Sequence, residues 1–427
     1  MTNNNTLKSL LFLAFLLPFA TKSAQIPFVK QVIVANGGSF SNPTNKITLT
    51  AYDPATKKDT LFDSIPGKSV TQVLVDSDGT AYVATDSTLV KYDLNTLKKL
   101  QSMQVFSIRY LAFYKDKICA TIGFDGNFNN FKMFNKSDLS LVYKERNLKT
   151  TWCEGLTIVG DSAYVAMQGT YPYSGDTGKI GVLDLVNMKV KRTIVLSEPT
   201  KGVAHMFAGN GYVVATTENF PPTLSYISKV DLKTGAITIV SKTQISVPFA
   251  LYHDTLYAGF PNGLGSYNLK SATSALYIQP APDFLAGALD TINKLFYLTG
   301  DDFTNPTKTH IYDYKGKVLD SFKVGVAPQA IAILYGKKSG INQTESFGTD
   351  AQLFPNPANT AIYLTGFQAK EATVAVMDIA GKLVYSKNLD FVTGHTFGIP
   401  VDGLPNGIYI VNIKSSTGSF SRKFVKN

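Results

Sequence analysis

The 427-residue sequence is poor in cysteine and in charged residues. Its two cysteines are too few for a disulfide scaffold or a thiolate zinc site. Asp, Glu, Lys and Arg make up 17% of the chain, against roughly 25% in typical soluble proteins. The formal net charge is +10, but no run of five or six like charges occurs. The charge therefore predicts no nucleic-acid partner.

Long apolar stretches are also missing, and the longest one lies near the N-terminus. After Lys8, residues 10–20 (LLFLAFLLPFA) form an apolar run that is followed by small residues at 21–24. Such a run is shorter than the roughly 20 residues that a membrane span needs. The pattern predicts a secretory signal peptide over residues 1–24, and a mature chain outside the cytoplasm.

Aromatic residues, glycine and turn chemistry are abundant, and they recur periodically. Aromatics make up 12% of the chain, which also has 33 glycines and 19 prolines. A short apolar strand that ends in Asp or Asn, followed by a polar turn, occurs seven times, at Asp53, Asp93, Asn135, Asp184, Asp231, Asn268 and Asp313. The spacings of 37 to 49 residues are close to the 40–45 residues of a four-stranded propeller blade.

This period predicts an all-β fold, a seven-bladed β-propeller over residues 26–336. The first unit begins with a second strand at 31–35, and the first strand that it lacks is supplied by residues 327–336. A ring closed by both ends leaves no unpaired sheet edge at the seam. A pair of β-sandwiches is the alternative, but it does not explain the period.

The C-terminal part reads as a separate module. Residues 337–350 are polar and are interpreted as a linker. Residues 351–427 alternate apolar and polar positions between Asn-Pro, Ala-Gly and Asn-Gly turns, which predicts a small Ig-like β-sandwich.

Four segments of this module resemble the type A C-terminal sorting domain of the type IX secretion system of Bacteroidetes. They are Pro355-Asn356-Pro357, the turn from Asp378 to Lys382, Leu404-Pro405-Asn406-Gly407-Ile408-Tyr409, and Lys423-Phe424-Val425. The resemblance implies that the type IX machinery is a partner and that the chain crosses the outer membrane. It also implies removal of the module, then release or attachment to surface lipopolysaccharide.

Motifs for catalysis are not found in the sequence. The four histidines, His205, His253, His310 and His395, have no metal-ligand spacing, and neither a nucleophile elbow nor a phosphate-binding glycine loop is present. We therefore predict no catalytic residue, no metal site and no cofactor. Cys119 and Cys153 would form either one disulfide or two buried thiols.

The loops predict where a ligand would bind. In an antiparallel four-stranded blade with strands A to D, the B–C and D–A connections emerge on one side. The B–C connections at 35–45, 123–130, 168–178, 218–224 and 300–309 are long, and long loops on a rigid scaffold often carry recognition. The candidate ligand-binding residues on this side are Phe40, Arg109, Phe124, Asn127, Phe128, Trp152, Glu154, Tyr171, Tyr173, Asp176, Phe220, Asp301, Asp302 and Phe303.

Over residues 26–336 the blades, of the type AYVAT…VKYDLNTLK, resemble the YncE-like surface propellers of Bacteroidetes. Some of those propellers capture cobalamin for an outer-membrane transporter. The resemblance implies a secreted or surface-exposed protein that binds a small molecule or a glycan. Two alternatives stay open: a metal-dependent propeller lactonase or lyase using Glu154 and Asp283, and an adhesion or envelope-scaffold protein that binds another protein.

Overall fold

The computed structural model describes residues 25–39, 41–42, 44, 46–124, 130–148, 150, 152–168, 178–196, 202–217, 225–261, 263–279, 283–339, 352–365, 371–390, 396–415 and 419–427. The chain divides into two compact units, Pro27–Gly336 and a second unit that contains Lys337–Asn427. The predicted signal peptide lies outside the described residues. Within the described ranges, no helix has the length and apolar character needed to cross a membrane.

Between residues 25 and 339, the described strands form seven four-stranded sheets. The strands of sheets 1 to 4 are β1 Gln25–Asn36, β2 Ile47–Asp53, β3 Lys58–Ile65, β4 Val70–Val75, β5 Thr80–Thr85, β6 Thr88–Asp93, β7 Lys98–Gln104, β8 Ile108–Tyr114, β9 Lys117–Ile122, β10 Phe131–Asn135, β11 Leu141–Glu145, β12 Cys153–Val159, β13 Ser162–Met167, β14 Lys179–Asp184 and β15 Lys189–Val195. Those of sheets 5 to 7, with the strand that returns to sheet 1, are β16 Val203–Ala208, β17 Tyr212–Thr217, β18 Ser225–Asp231, β19 Ile237–Thr243, β20 Ser246–Tyr252, β21 Thr255–Phe260, β22 Gly263–Asn268, β23 Thr273–Ile278, β24 Gly287–Asp290, β25 Leu295–Thr299, β26 Lys308–Asp313, β27 Val318–Lys323 and β28 Pro328–Ser339.

Sheet 1 joins the two ends of the first unit. Its order is β28-β1-β2-β3, whereas the other six sheets each take four consecutive strands. The strand expected at 327–336 does lie beside the first strand of the chain. It continues to Ser339, three residues into the segment interpreted as a linker, where it extends sheet 1. We name the strands of each sheet A to D in sheet order, so that β28, β4, β8, β12, β16, β20 and β24 are the A strands.

The repeated Asp or Asn has a local structural role in the C–D turn. In sheet 1, Asp53 Oδ1 accepts hydrogen bonds from the backbone N–H groups of Ala55 at 2.8 Å and Thr56 at 3.4 Å. An acidic or amide side chain that binds the backbone two and three residues on stabilises a tight turn. All seven turns also contain one residue with positive φ, namely Lys57, Leu97, Leu139, Met188, Gly235, Ala272 and Gly316.

The core of the first unit lies between the sheets. Seven clusters of buried apolar side chains each contain residues from two neighbouring sheets. Six of these clusters join each of sheets 1 to 6 to the sheet that follows it in the chain. The seventh cluster joins sheet 7 to sheet 1, where the rings of Tyr52 and Phe322 stack with centroids 4.2 Å apart. Each fully buried aliphatic or aromatic side chain stabilises the fold by about 1.5–3 kcal/mol. The cohesion of the sheets therefore rests on side-chain packing between neighbours.

Both cysteines are buried free thiols. Cys119 and Cys153 belong to the cluster between sheets 3 and 4. Burial raises the pKa of the Cys119 thiol to about 12, and burial raises the pKa of the Cys153 thiol as well. Of the two possibilities left open by the sequence, the structure has the buried thiols.

The C-terminal unit consists of two sheets that share one core. Its strands are β29 Gln352–Phe354, β30 Ala361–Thr365, β31 Glu371–Asp378, β32 Leu383–Asp390, β33 Phe397–Pro400, β34 Gly407–Ser415 and β35 Ser419–Lys426. They pair in the orders β29-β30-β33 and β32-β31-β34-β35. Ile362 and Ile399 of the smaller sheet share a buried cluster with Val374, Val411 and Phe424 of the larger one.

Candidate functional site

Bulges near the start of the A strands position the most notable polar side chains. The register against the B strand shifts between Ile108 and Leu111 in β8 and between Cys153 and Leu156 in β12. The same irregularity occurs near the start of β4, β16 and β20. A bulge bends its strand and redirects side chains. In sheets 3 and 4 the residues within it are Arg109 with Tyr110, and Glu154 with Gly155.

Arg109, Trp152 and Glu154 form one polar cluster. Arg109 Nε donates to both carboxylate oxygens of Glu154 at 2.9 Å, and Trp152 Nε1 donates to Glu154 Oε1 at 2.6 Å. The guanidinium carbon of Arg109 lies 5.5 Å from the centroid of the Trp152 ring. The Glu154 side chain is 8% exposed and that of Arg109 is 34% exposed. A carboxylate this buried needs such partners, so Glu154 anchors the arginine and the indole.

Thr121 fixes the backbone of both bulges. Its Oγ1 accepts a hydrogen bond from Tyr110 N at 3.0 Å and donates one to the Glu154 carbonyl at 2.5 Å. Thr299 forms the equivalent pair of bonds between sheets 7 and 1, to Ala286 N at 2.9 Å and the Pro328 carbonyl at 2.9 Å. A threonine at or next to the end of a B strand thus connects the beginnings of two neighbouring A strands.

A second polar contact joins sheet 3 to sheet 5. The Tyr110 hydroxyl lies 2.6 Å from His205 Nδ1, and the two rings are perpendicular, with centroids 5.8 Å apart. Gly155 of sheet 4 packs against the same histidine, since a Cβ at Gly155 would lie 2.8 Å from His205 Cα and 2.6 Å from Met206 N. Only glycine allows β12 and β16 to approach this closely.

The B–C connections are hydrogen-bonded to the D–A connections, so both lie on one side of the sheets. Gly123 N donates to the Ser107 carbonyl at 2.8 Å, and Gln168 N donates to the Trp152 carbonyl at 3.1 Å. We call this side the loop face. Phe124 follows Gly123 and is 59% exposed, and a Cβ at Gly123 would lie 3.1 Å from the Trp152 ring. Phe124 and the Arg109–Trp152–Glu154 cluster therefore belong to the same region of the loop face.

Asp301, Asp302 and Phe303 form a separate group in the B–C connection of sheet 7. The carboxylate of Asp302 accepts hydrogen bonds from Thr304 N and Asn305 N, each at 2.8 Å, and these bonds lower its pKa to about 2. This side chain therefore stabilises its own loop. Phe303 is 47% exposed, and the Asp302 carbonyl accepts a hydrogen bond from Ala327 N at 2.8 Å.

The other seven candidate residues lie outside the described residues, and their assignment remains a prediction. They are Phe40, Asn127, Phe128, Tyr171, Tyr173, Asp176 and Phe220.

The contact of Tyr110 with His205 was not predicted, because no ligand spacing or catalytic motif distinguishes either residue in the sequence. Their position near the start of an A strand, which they share with Arg109 and Glu154, is the signal that could have identified them. Among the described residues, no group of three or more His, Cys, Asp or Glu side chains is arranged to hold a metal ion.

In the C-terminal unit, the four motif segments have structural roles. Asn356 Oδ1 accepts a hydrogen bond from Val425 N at 2.8 Å, and its Nδ2 donates to the Lys423 carbonyl at 3.3 Å. Asp378 Oδ1 accepts the backbone N–H groups of Ala380 and Lys382 at 2.9 Å. The Tyr409 hydroxyl donates to the Pro405 carbonyl at 2.8 Å. The motifs thus secure the last strand and two turns.

Residues 352–427 match the family model of the secretion system C-terminal sorting domain. This domain indicates that the chain is exported by the type IX secretion system to the cell surface or beyond, and that it interacts with that machinery. No curated protein matches the chain in sequence.

Solved structures resemble much of the chain. A putative 6-phosphogluconolactonase from Bacteroides fragilis is 11% identical, with a TM-score of 0.52 over 71% of this chain and 98% of that one. BamB from Moraxella catarrhalis is 12% identical, with a TM-score of 0.44 over 80% of this chain and 93% of that one. The likeness to the putative lactonase, at 11% identity, concerns the fold alone: repeated four-stranded sheets of a propeller.

Proposed function

We propose that the first unit is a closed seven-bladed propeller that binds a small molecule or a glycan on its loop face, outside the cell. The circular sequence of core clusters, in which the last joins sheet 7 to sheet 1, supports ring closure. The C-terminal sorting domain supplies the export. In this proposal the protein is a YncE-like propeller of a Bacteroidetes bacterium with an Ig-like C-terminal module, and its signal peptide is cleaved.

The observation that carries the proposal is the cluster of Arg109, Trp152 and Glu154 with Phe124 beside it. An indole and an exposed phenyl ring provide flat apolar surfaces, and the guanidinium group provides directional donors. Ligand sites combine apolar and aromatic surfaces with a few fixed polar groups. Because the buried Glu154 holds both Arg109 and Trp152, the surface exists before a ligand arrives, which reduces the entropy lost on binding.

The test uses the natural fluorescence of the protein. Trp152 is the one tryptophan of the sequence, so a ligand bound against it changes the emission. The mature chain is titrated with a panel of corrinoids, porphyrins and oligosaccharides, and hits are measured by calorimetry. Combined Trp152→Ala and Phe124→Ala substitutions are expected to weaken binding of a hit by at least about tenfold.

The matched control is Tyr252→Ala. Tyr252 is also aromatic and is 40% exposed, but it lies at the end of an A strand, in front of the A–B turn on the opposite side. This variant is expected to bind like the wild type. Equal affinity of the double variant and the wild type would exclude this face as the binding site.

A further inference from the structure

A cleft of about 430 Å³ lies where sheet 7 meets sheet 1. One wall consists of Thr48 and Thr50 of β2 with Leu61 of β3, and the other of residues 324–326, which connect β27 to β28. Gly38 and Pro306, from the two neighbouring B–C connections, lie at its border. The cleft therefore borders the loop face, and its volume is in the range of small-molecule sites, roughly 300–1,000 Å³.

Small residues, Gly38, Gly325, Thr48 and Thr50, line part of this junction. A Cβ added at Gly325 would lie 2.6 Å from Thr48 Oγ1 and 2.9 Å from Asn36 Cγ. Thr50 in sheet 1 and Gly181 in sheet 4 occupy equivalent positions. Each lies three residues before the Asp of its C–D turn, Asp53 and Asp184 respectively. In sheet 4 the side chain of Leu148 occupies the space beside Gly181, since a Cβ added at Gly181 would lie 2.5 Å from Leu148 Cδ2. Between sheets 7 and 1, Thr50 lines the cleft, and Val324 of the connection is buried in the shared core.

A buried amide next to the cleft holds one of the threonines that line it. Asn36 is fully buried, and its Nδ2 donates to Thr48 O at 3.0 Å and to Thr48 Oγ1 at 3.2 Å. Its Oδ1 has no hydrogen-bond partner among the described residues, and an unpaired buried acceptor is unfavourable. The buried amide of Asn36 orients the Thr48 hydroxyl, and Thr48 lines the cleft.

The charges on the walls favour an acidic ligand. Lys46 and Lys323 both line the cleft, and so does one carboxylate, Asp59. Asp59 Oδ2 already accepts a hydrogen bond from Lys323 N at 2.9 Å. The two ammonium groups outnumber the carboxylate, while Leu61, 65% exposed, offers an apolar surface beside them.

We infer that this cleft binds a uronic acid, a sugar ring with one carboxylate, alone or within an acidic glycan. The carboxylate faces Lys46 and Lys323, the ring hydroxyls face the Thr48 and Thr50 hydroxyl groups, and the C–H face of the ring packs on Leu61. The inference rests on the proposed function, because it assigns a ligand class to one part of the loop face.

The experiment is calorimetric titration of the mature full chain with D-glucuronate, tri-galacturonate and neutral D-glucose. We expect saturable binding of the acidic sugars and at least about tenfold weaker binding of glucose. Tighter binding of the trimer than of the monomer identifies a glycan chain as the source of the acid, and the reverse identifies the free sugar. Both acidic sugars are expected to bind more weakly as salt is raised, because exposed charges are screened.

Two variants test the cleft without disturbing the core. Combined Lys46→Gln and Lys323→Gln substitutions remove both exposed ammonium groups, and Leu61→Glu places a repelling charge on the wall. Each is expected to weaken glucuronate binding by about tenfold. The control combines Lys233→Gln and Lys270→Gln, two exposed lysines of C–D turns, and is expected to bind like the wild type.

Equal binding of glucuronate and glucose, or unchanged affinity of both cleft variants, overturns the inference. If uronates do not bind but another ligand binds through Trp152 and Phe124, the inference alone fails. If neither the panel nor the uronates bind, the proposed function fails with it.

Discussion

The two sides of the sheets in the first unit are built by different kinds of interaction. On the side of the C–D turns, each hairpin is stabilised within a few residues by an Asp or Asn, as at Asp231, whose Oδ1 accepts from Lys233 N and Thr234 N at 3.0 and 2.7 Å. On the loop face, the main contacts join residues far apart in sequence, such as Arg109 with Glu154 and Tyr110 with His205.

This difference distinguishes the C–D turns, which repeat from sheet to sheet, from the loop face, whose contacts differ at each junction between sheets. A turn stabilised by its own Asp or Asn can be repeated seven times, although single turns also contact a neighbouring sheet, as Lys136 Nζ does by donating to Asp76 Oδ2 at 2.7 Å. A contact between two A strands depends on both sheets, so it differs from one junction to the next. The loop face can therefore acquire a particular ligand site while the opposite side preserves the scaffold.

The largest expected effect is that of Gly155→Ala. The added Cβ would lie 2.6 Å from Met206 N and 2.7 Å from the Ala204 carbonyl, and these backbone atoms cannot move independently. We expect the free energy of unfolding to fall by about 3 kcal/mol, measured by urea denaturation.

Gly160→Ala, in an A–B turn on the opposite side, is the comparison. Gly160 has nothing within 4 Å of a Cβ, and its φ is +57°, so only local strain of about 1 kcal/mol is expected. Equal losses in the two variants would contradict the contrast between the two sides.

A smaller effect is expected for Glu154→Ala. The substitution removes the acceptor for Arg109 Nε and Trp152 Nε1 and leaves a half-buried guanidinium group without this carboxylate. We expect a loss of about 2 kcal/mol in unfolding free energy and a change in tryptophan emission before unfolding.

The Arg109→Met variant completes a double-mutant cycle with Glu154→Ala. A coupling free energy near zero between the two substitutions would show that the Arg109–Glu154 contact does not stabilise the loop face.

The smallest effect concerns the turn side and appears only in acid. Hydrogen bonds from the backbone and side chain of Asn187 lower the pKa of Asp184 from 3.8 to about 2. The ionised carboxylate therefore stabilises the fold above about pH 4, and this contribution is lost as the pH falls toward 2. Asp184→Asn is expected to show a smaller fall in melting temperature between pH 5 and pH 2 than the wild type.

The reverse substitution is the matched control. Asn268 occupies the same place in sheet 6, and its Oδ1 accepts from Lys270 N and Ser271 N at 3.0 and 2.9 Å. Asn268→Asp is expected to add acid sensitivity. If neither substitution changes the pH profile, these turns do not contribute to acid stability.

The amino-acid sequence alone determined the repeated features of this protein. The Asp or Asn before each C–D turn and the alternation of apolar residues in the strands act over a few residues, and the sorting motifs are short runs of fixed residues, so all of them can be read from the sequence. The repeated sheets, the strand returning to sheet 1 and the C-terminal sorting domain were accordingly predicted.

The tertiary structure alone decided which side chains meet. Arg109, Trp152 and Glu154 were chosen from their loop positions, but their mutual hydrogen bonds, and the contact of Tyr110 with His205, follow from bulges and from the distance between A strands. The cleft beside Gly325 likewise depends on how sheets 7 and 1 pack. Such distances are set by the volumes of side chains in two separate segments, which no local pattern encodes.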